Sequence, residues 1–240
     1  MHLRFLCSFP SVLIMLMLFG AVTGGCSTSR SHVIASEYER AALRGTSIAL
    51  LPLSSELTPD REAEEDQQTA YFTGEGHKLF YRLFGLELQE VASAEIVDLG
   101  SNYRPAERPF EPRGLRMPSG DSLYIPMPDG AVAGPNRTAD FALLIDELTF
   151  APRSESTRSG QFGSTERTSN LYVTATCEYM LWDNRREQVA AYGTFESESR
   201  MLNPNSRTAY ETLFEELALT IVRNSPVSLS SQFQNRVTAP

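Results

Sequence analysis

Ser47 to Leu53 reads Ser-Ile-Ala-Leu-Leu-Pro-Leu. The run is too short for a helix and too uniformly apolar for a strand with one wet face. Such a segment must be buried on both faces. A sheet with further layers above and below it supplies that environment. Pro52 has no amide hydrogen, so the run ends at a sheet edge or exit point. The next elements agree with this. Between Ala70 and Val91, the residues Phe80, Leu83, Phe84, Leu88 and Val91 recur at helical spacing. Gly74 and Gly76 weaken the first turns of that helix. Glu95 to Leu99 is a second short strand. Strand, helix, strand is the opening of an α/β layer arrangement.

From Ser101 to Thr138 the pattern vanishes among seven prolines and four glycines. A segment of that kind is a functional insertion or disordered. It is expected to be peripheral, so that replacing Arg104–Pro135 with a flexible bridge leaves a cooperative melt. Ser122–Pro128 reads as an extended piece lying flat on the domain. Ala139–Phe150 is a long strand whose apolar phase changes at Asp146-Glu147, the mark of a bulge. Arg153–Ser169 is a Ser/Thr/Gly/Arg loop.

Asn170–Trp182 and Gln188–Ser197 form a hairpin. Pairing Leu181 with Val189 sets Tyr179 against Ala191, Cys177 against Gly193 and Ala175 against Phe195. Val173, Cys177 and Phe195 then face the core. Tyr172, Met180, Trp182 and Tyr192 share the opposite face. Two readings of that face stay open: a helix or the proline-rich segment covers it, or it is an exposed aromatic patch that docks a partner. Tyr210, Leu213, Phe214, Leu217 and Ile221 make a final helix. Thr208-x-x-Glu211 or Asn203-Pro204 starts it, and Asn224 and Pro226 stop it.

These elements predict an α/β fold, with α+β as the alternative: a single mixed sheet of about five strands packed by two main helices and carrying a long Pro/Gly-rich insertion. The domain spans 47–227 with the insertion at 101–138. Ahead of it, 26–46 is a tether followed by a short helix capped by Ser36-x-x-Glu39. Behind it, 228–240 is a polar, frayed tail.

Residues 1–25 read as a secretory signal peptide. The weakly basic start and the apolar core Val12–Phe19 are too short to span a membrane and end in small residues. Val22-Thr-Gly-Gly-Cys26 resembles a bacterial lipobox, with Thr23 where the pattern usually has Leu. That resemblance implies a diacylglyceryl and palmitate anchor on Cys26. Ser27 after the cysteine implies an outer-membrane address rather than retention. Each buried CH₂ of such chains contributes about 0.8 kcal/mol to the hold on the membrane.

The net charge of −9 and the single lysine, Lys78, among 21 basic residues argue against nucleic acid as a partner. With Cys7 in the signal and Cys26 lipidated, Cys177 is left alone as a small buried hydrophobe, and no disulfide is expected. The sequence holds no HExxH, CxxC or GxSxG, so neither a metal, a cofactor nor a catalytic residue is predicted. His32 reads as solvated tether, and His77 as helix surface. The pairs Asp146/Glu147, Glu196/Glu198 and Glu215/Glu216 read as solvated faces.

The element order, the Ser47–Leu53 strand and the unit Tyr179–Gly193, with its Asp-containing turn, resemble the CsgG-like group of lipoproteins. That group includes curli secretion lipoproteins and lipoprotein activators of penicillin-binding proteins. The resemblance covers Ser47–Leu99 and Asp140–Val227. It implies a non-catalytic envelope lipoprotein, anchored in the outer membrane and facing the periplasm, that acts as subunit or activator of an envelope assembly or secretion system. The segment 101–138 lacks the alternation of a membrane-spanning hairpin, which favours a periplasmic protein partner over a pore. The alternatives are a small-molecule or lipid-binding transport accessory and, third, an envelope hydrolase.

Overall fold

The computed structural model describes residues 31–52, 55–57, 76–97, 111–132, 138–161, 164–202 and 207–238. The expected signal peptide and lipobox, with Cys26, lie outside them. In chain order the described elements are β1 (His32–Ile34), β2 (Thr46–Pro52), β3 (Ser55–Leu57), α1 (Gly76–Val91), β4 (Ala94–Val97), β5 (Glu111–Arg116), β6 (Ser122–Met127), β7 (Phe141–Gln161), β8 (Ser164–Asp183), β9 (Gln188–Met201), α2 (Arg207–Arg223) and α3 (Ser231–Thr238).

The apolar run forms β2 and sits inside the sheet, parallel to β4 on one side and to β7 on the other. Its side chains alternate between two cores. Ile48 and Leu50 join a cluster with Phe84, Leu88, Phe214 and Leu217, under α1 and α2. Ala49 and Leu51 join a second cluster with Leu123, Ile125 and Trp182. That two-sided burial explains why no residue from Ile48 to Leu51 is polar. The sheet has seven strands in the order β1-β9-β8-β7-β2-β4, with β3 also on β7. The fold is thus a mixed sheet with helices on one face, and broader than the five strands expected.

The helices dock through aromatic rings. Phe84 and Phe80 stack at 5.1 Å, and both meet Phe214 edge-on. Phe150 of β7 meets Phe214 at 5.9 Å and 89°, the edge-to-face geometry that aromatic pairs favour. The predicted face of α2, Tyr210 through Ile221, is buried throughout.

The segment expected to be peripheral is part of the core. β5 and β6 pair as an antiparallel hairpin that lies on the second face of the sheet. Met117, Leu123, Ile125 and Met127 are buried there. The alternation Leu123, Ile125, Met127 is an ordinary strand period, masked in sequence by Pro126 and Pro128.

Four further expectations are corrected. Ser36–Arg40 is a set of tight turns rather than a helix, because Tyr38 and Ala41 donate to carbonyls three residues back. Arg153–Ser169 is not a loop: β7 and β8 stay paired to Gln161↔Ser164. The tail folds as α3, whose Phe233 amide donates to Ser230 Oγ as a helix cap and whose Phe233 ring is buried. The β8–β9 register is displaced by two residues. Leu181 pairs with Ala191 and Trp182 with Val189, leaving Ala190 as an extra residue in a bulge. A shift of two keeps each side chain on its face, so the predicted sorting of the faces holds. The bulge expected at Asp146-Glu147 is present, with Glu147 at φ 48°.

The tether region is part of the sheet from His32 onward. β1 pairs with β9 through His32↔Gly193, and His32 Nδ1 lies 3.0 Å from the buried Tyr179 hydroxyl. Burial holds the His32 imidazole below its usual pKa. Gly193 makes this approach possible: a Cβ there would lie 2.5 Å from both Ser31 O and His32 Nδ1. Gly193→Ala is expected to detach β1, with a loss of about 1–3 kcal/mol. Hydrogen exchange of the Thr194 amide, which donates to Ser31 O, reads this directly. An unchanged rate there would refute the tight fit.

Candidate functional site

The turn that joins β8 to β9 carries a buried polar network. Asp183, 7% exposed, ends β8. Its Oδ1 accepts from the amides of Arg185 and Arg186 at 2.8 and 3.0 Å, which folds the turn. Its Oδ2 accepts from the Tyr38 hydroxyl at 2.6 Å. Gln188 Nε2 donates to the Tyr38 oxygen. Burial and then the bond to Asp183 push the Tyr38 pKa up. Asn184, 5% exposed, accepts from the Val132 amide and donates to the carbonyls of Ala139 and Val132. It fastens the segment between β6 and β7 to the turn.

Asp140 completes the cluster just before β7. Its Oδ2 accepts from both the amide and the hydroxyl of Ser47, each at 2.9 Å, and its Oδ1 pairs with the Arg185 guanidinium. Burial opposes its ionisation. The Ser47 donors and Arg185 outweigh that and hold the carboxyl below its usual range. Ser47 Oγ also accepts from the Asp140 amide. The hydroxyl is therefore engaged on both sides by Asp140, as donor to its carboxylate and acceptor from its amide.

A half-open depression of about 480 Å³ lies beside this network, lined in part by Tyr38, Leu43, Arg44, Phe141, Arg185 and Arg186. The Arg186 guanidinium stands 5.2 Å over the Tyr38 ring. Among the described residues no group of three or more His, Cys, Asp or Glu is placed to hold a metal ion.

The aromatic residues singled out in the sequence do not form one exposed surface. Met180 is fully buried and Trp182 is 5% exposed, both beneath the β5–β6 hairpin. Tyr192 is partly buried and donates to the Arg116 carbonyl at 2.7 Å, tying the hairpin down. Tyr172 lies elsewhere on the sheet, under the Arg153 guanidinium at 5.2 Å. The docking-patch reading is corrected: large residues on this face were a sign of cover. Cys177 is buried, as expected, and burial raises its thiol pKa. Among the carboxylates, Glu198 pairs with Arg153. Glu178 stands near Asp146 and Glu147; burial first, and then those two charges, raise its pKa.

Another feature went unseen in the sequence. β9 ends with Met201 opposite Leu171. Past that point β7 and β8 continue for seven more pairs, Glu155↔Asn170 to Gln161↔Ser164. At about 3.3 Å per residue this ribbon reaches roughly 23 Å beyond the sheet. No third described strand pairs with it. The residues in those pairs are all polar or glycine, unlike the apolar-out alternation of a membrane-spanning strand.

No family model matches the chain, and no curated protein matches it. Among solved structures, the hypothetical protein CT253 from Chlamydia trachomatis aligns with a TM-score of 0.39 and 11% identity, covering 75% of this chain and 97% of that one. A PelC dodecamer from Paraburkholderia phytofirmans aligns at 0.30 and 12%, covering 78% and 88%. A minor lipoprotein from Acinetobacter baumannii aligns at 0.27 and 10%, covering 77% and 98%. Likenesses at this level carry no argument about function.

Proposed function

We propose that this protein is a non-catalytic envelope lipoprotein, anchored in the outer membrane through Cys26 and facing the periplasm, that serves as a subunit or activator of an envelope assembly or secretion system. The CsgG-like resemblance belongs to this proposal. The observation that carries the reading is the β7–β8 ribbon. A two-stranded ribbon is marginal by itself in water, and edges that no other described strand pairs are templates for a strand of another chain. An arm whose paired residues are all polar or glycine suits contact with a protein partner in an aqueous compartment.

The test compares the full chain with a variant in which 156–169 is replaced by a short turn. Both are extracted in detergent from native membranes. A stoichiometric protein partner is expected with the full chain and lost from the shortened one, at an unchanged melting temperature. Retention of the partner by the shortened chain would overturn the role of the ribbon. In the same host, Cys26→Ala is expected to leave an unprocessed precursor without palmitate label, and persistent label would overturn the anchor. The depression beside Tyr38 favours a second reading, a small-molecule transport accessory.

A further inference from the structure

The depression beside Tyr38 is lined by three carboxylates, Glu37, Asp140 and Asp183, and three guanidinium groups, Arg44, Arg185 and Arg186. Glu37 is exposed and accepts from Ser36 Oγ, and the other two carboxylates are already satisfied. Asp183 receives Tyr38 and two amides, and Asp140 receives Ser47 and Arg185. Arg185 is spent on Asp140. Among the described residues neither Arg44 nor Arg186 has a carboxylate partner; Arg186 engages the Tyr38 ring and hydroxyl, which leaves most of its donors open. These two cations come from separate segments. Arg44 precedes Gly45, whose φ of 64° turns the chain into β2. Arg186 stands in the β8–β9 turn. Both line the same depression.

We propose that this depression is a binding site for a phosphate group carried on a small organic moiety. A tetrahedral phosphate offers enough acceptor oxygens to engage two guanidinium forks that approach from different segments, whereas a carboxylate is satisfied by one fork. A volume of about 480 Å³ exceeds what a bare phosphate needs and falls in the range of small-molecule pockets. Tyr38, Leu43 and Phe141 supply apolar wall for the organic part. The phosphate comes either from a soluble metabolite or from a lipid headgroup. The site depends on neither the ribbon nor the anchor, so it stands or falls apart from the function proposed above.

The full chain in a phosphate-free maltoside detergent is titrated by calorimetry with glycerol 1-phosphate, with dihexanoyl phosphatidylglycerol and with succinate. Saturable binding of one or both phosphate probes is expected. Binding of glycerol 1-phosphate identifies a soluble source, and binding of the lipid alone identifies a headgroup. Arg44→Gln and Arg186→Gln are each expected to weaken the affinity about tenfold, with the unliganded melting temperature unchanged. Arg223→Gln, the same charge change on the exposed end of α2, is expected to have no effect. The proposal is overturned if neither phosphate probe saturates, if succinate binds as tightly, or if Arg223→Gln weakens binding as much as Arg44→Gln.

Discussion

A chain in which the β5–β6 hairpin is replaced by a flexible bridge is expected to lose its cooperative unfolding transition. The hairpin is the lid of a complete second core. Its removal would bare Ala49, Leu51, Ala142, Leu144, Met180 and Trp182, all buried now. Each large apolar side chain returned to water costs about 1.5–3 kcal/mol, and native stability is only about 5–15 kcal/mol. Trp182, the single tryptophan, reports on this region in the intact protein. Its emission is expected to be blue-shifted and resistant to quenchers. Trp182→Ala is expected to cost about 3–5 kcal/mol. Trp182→Phe is expected to cost less, because the indole Nε1 is buried without a hydrogen-bond partner and its loss relieves an unsatisfied donor. Denaturant titration followed by circular dichroism measures all three. A sharp melt in the hairpin-less chain would show that the second face tolerates water.

Asp183→Ala is expected to cost about 4 kcal/mol, measured as a shift of the denaturant midpoint at constant slope. The carboxylate serves two ends of the chain at once. Without it the Tyr38 hydroxyl and the turn amides of Arg185 and Arg186 lose their shared acceptor. Asp183→Asn keeps a side-chain oxygen for the amides and is expected to lose about half as much. A cost below about 1 kcal/mol for Asp183→Ala would show that water replaces the carboxylate freely.

The parts of this fold that were legible in the sequence are those in which burial is periodic. The Ile48–Leu51 run, the Phe80–Val91 and Tyr210–Ile221 stripes and the phase change at Asp146-Glu147 each follow from one face meeting apolar neighbours. The same logic sorted Val173 and Cys177 from Met180 and Trp182. It missed the correct register because the bulge falls at Ala190, beside Ala191. Two adjacent small residues carry no phase information. The β7–β8 ribbon was read as a loop because polar strands with two wet faces have no alternation to detect. Of the hairpin over the second face, the extended piece Ser122–Pro128 was legible and corresponds to β6, but its partner β5, with Pro112 and Gly114, was not. The site was nearly illegible. Asp183-Asn184 announces a turn, yet Tyr38 lies 145 residues away from Asp183, and no local pattern links them. That Arg44 and Arg186 meet no carboxylate among the described residues is a property of three-dimensional neighbourhood alone.

The place of β2 in the middle of the sheet also sets the order of events during synthesis. At its entrance Ser47 bonds to Asp140, 93 residues later in the chain. Until β7 has been made, Ile48–Leu51 can pair on one side only, with β4. A nascent chain therefore carries a β-prone apolar segment with one edge unpaired until the 93 residues from Ser47 to Asp140 have been made, and closing that long loop delays its reward. Such a segment is the natural target of aggregation in a partly made chain. A protein built this way completes its sheet only after β7 arrives.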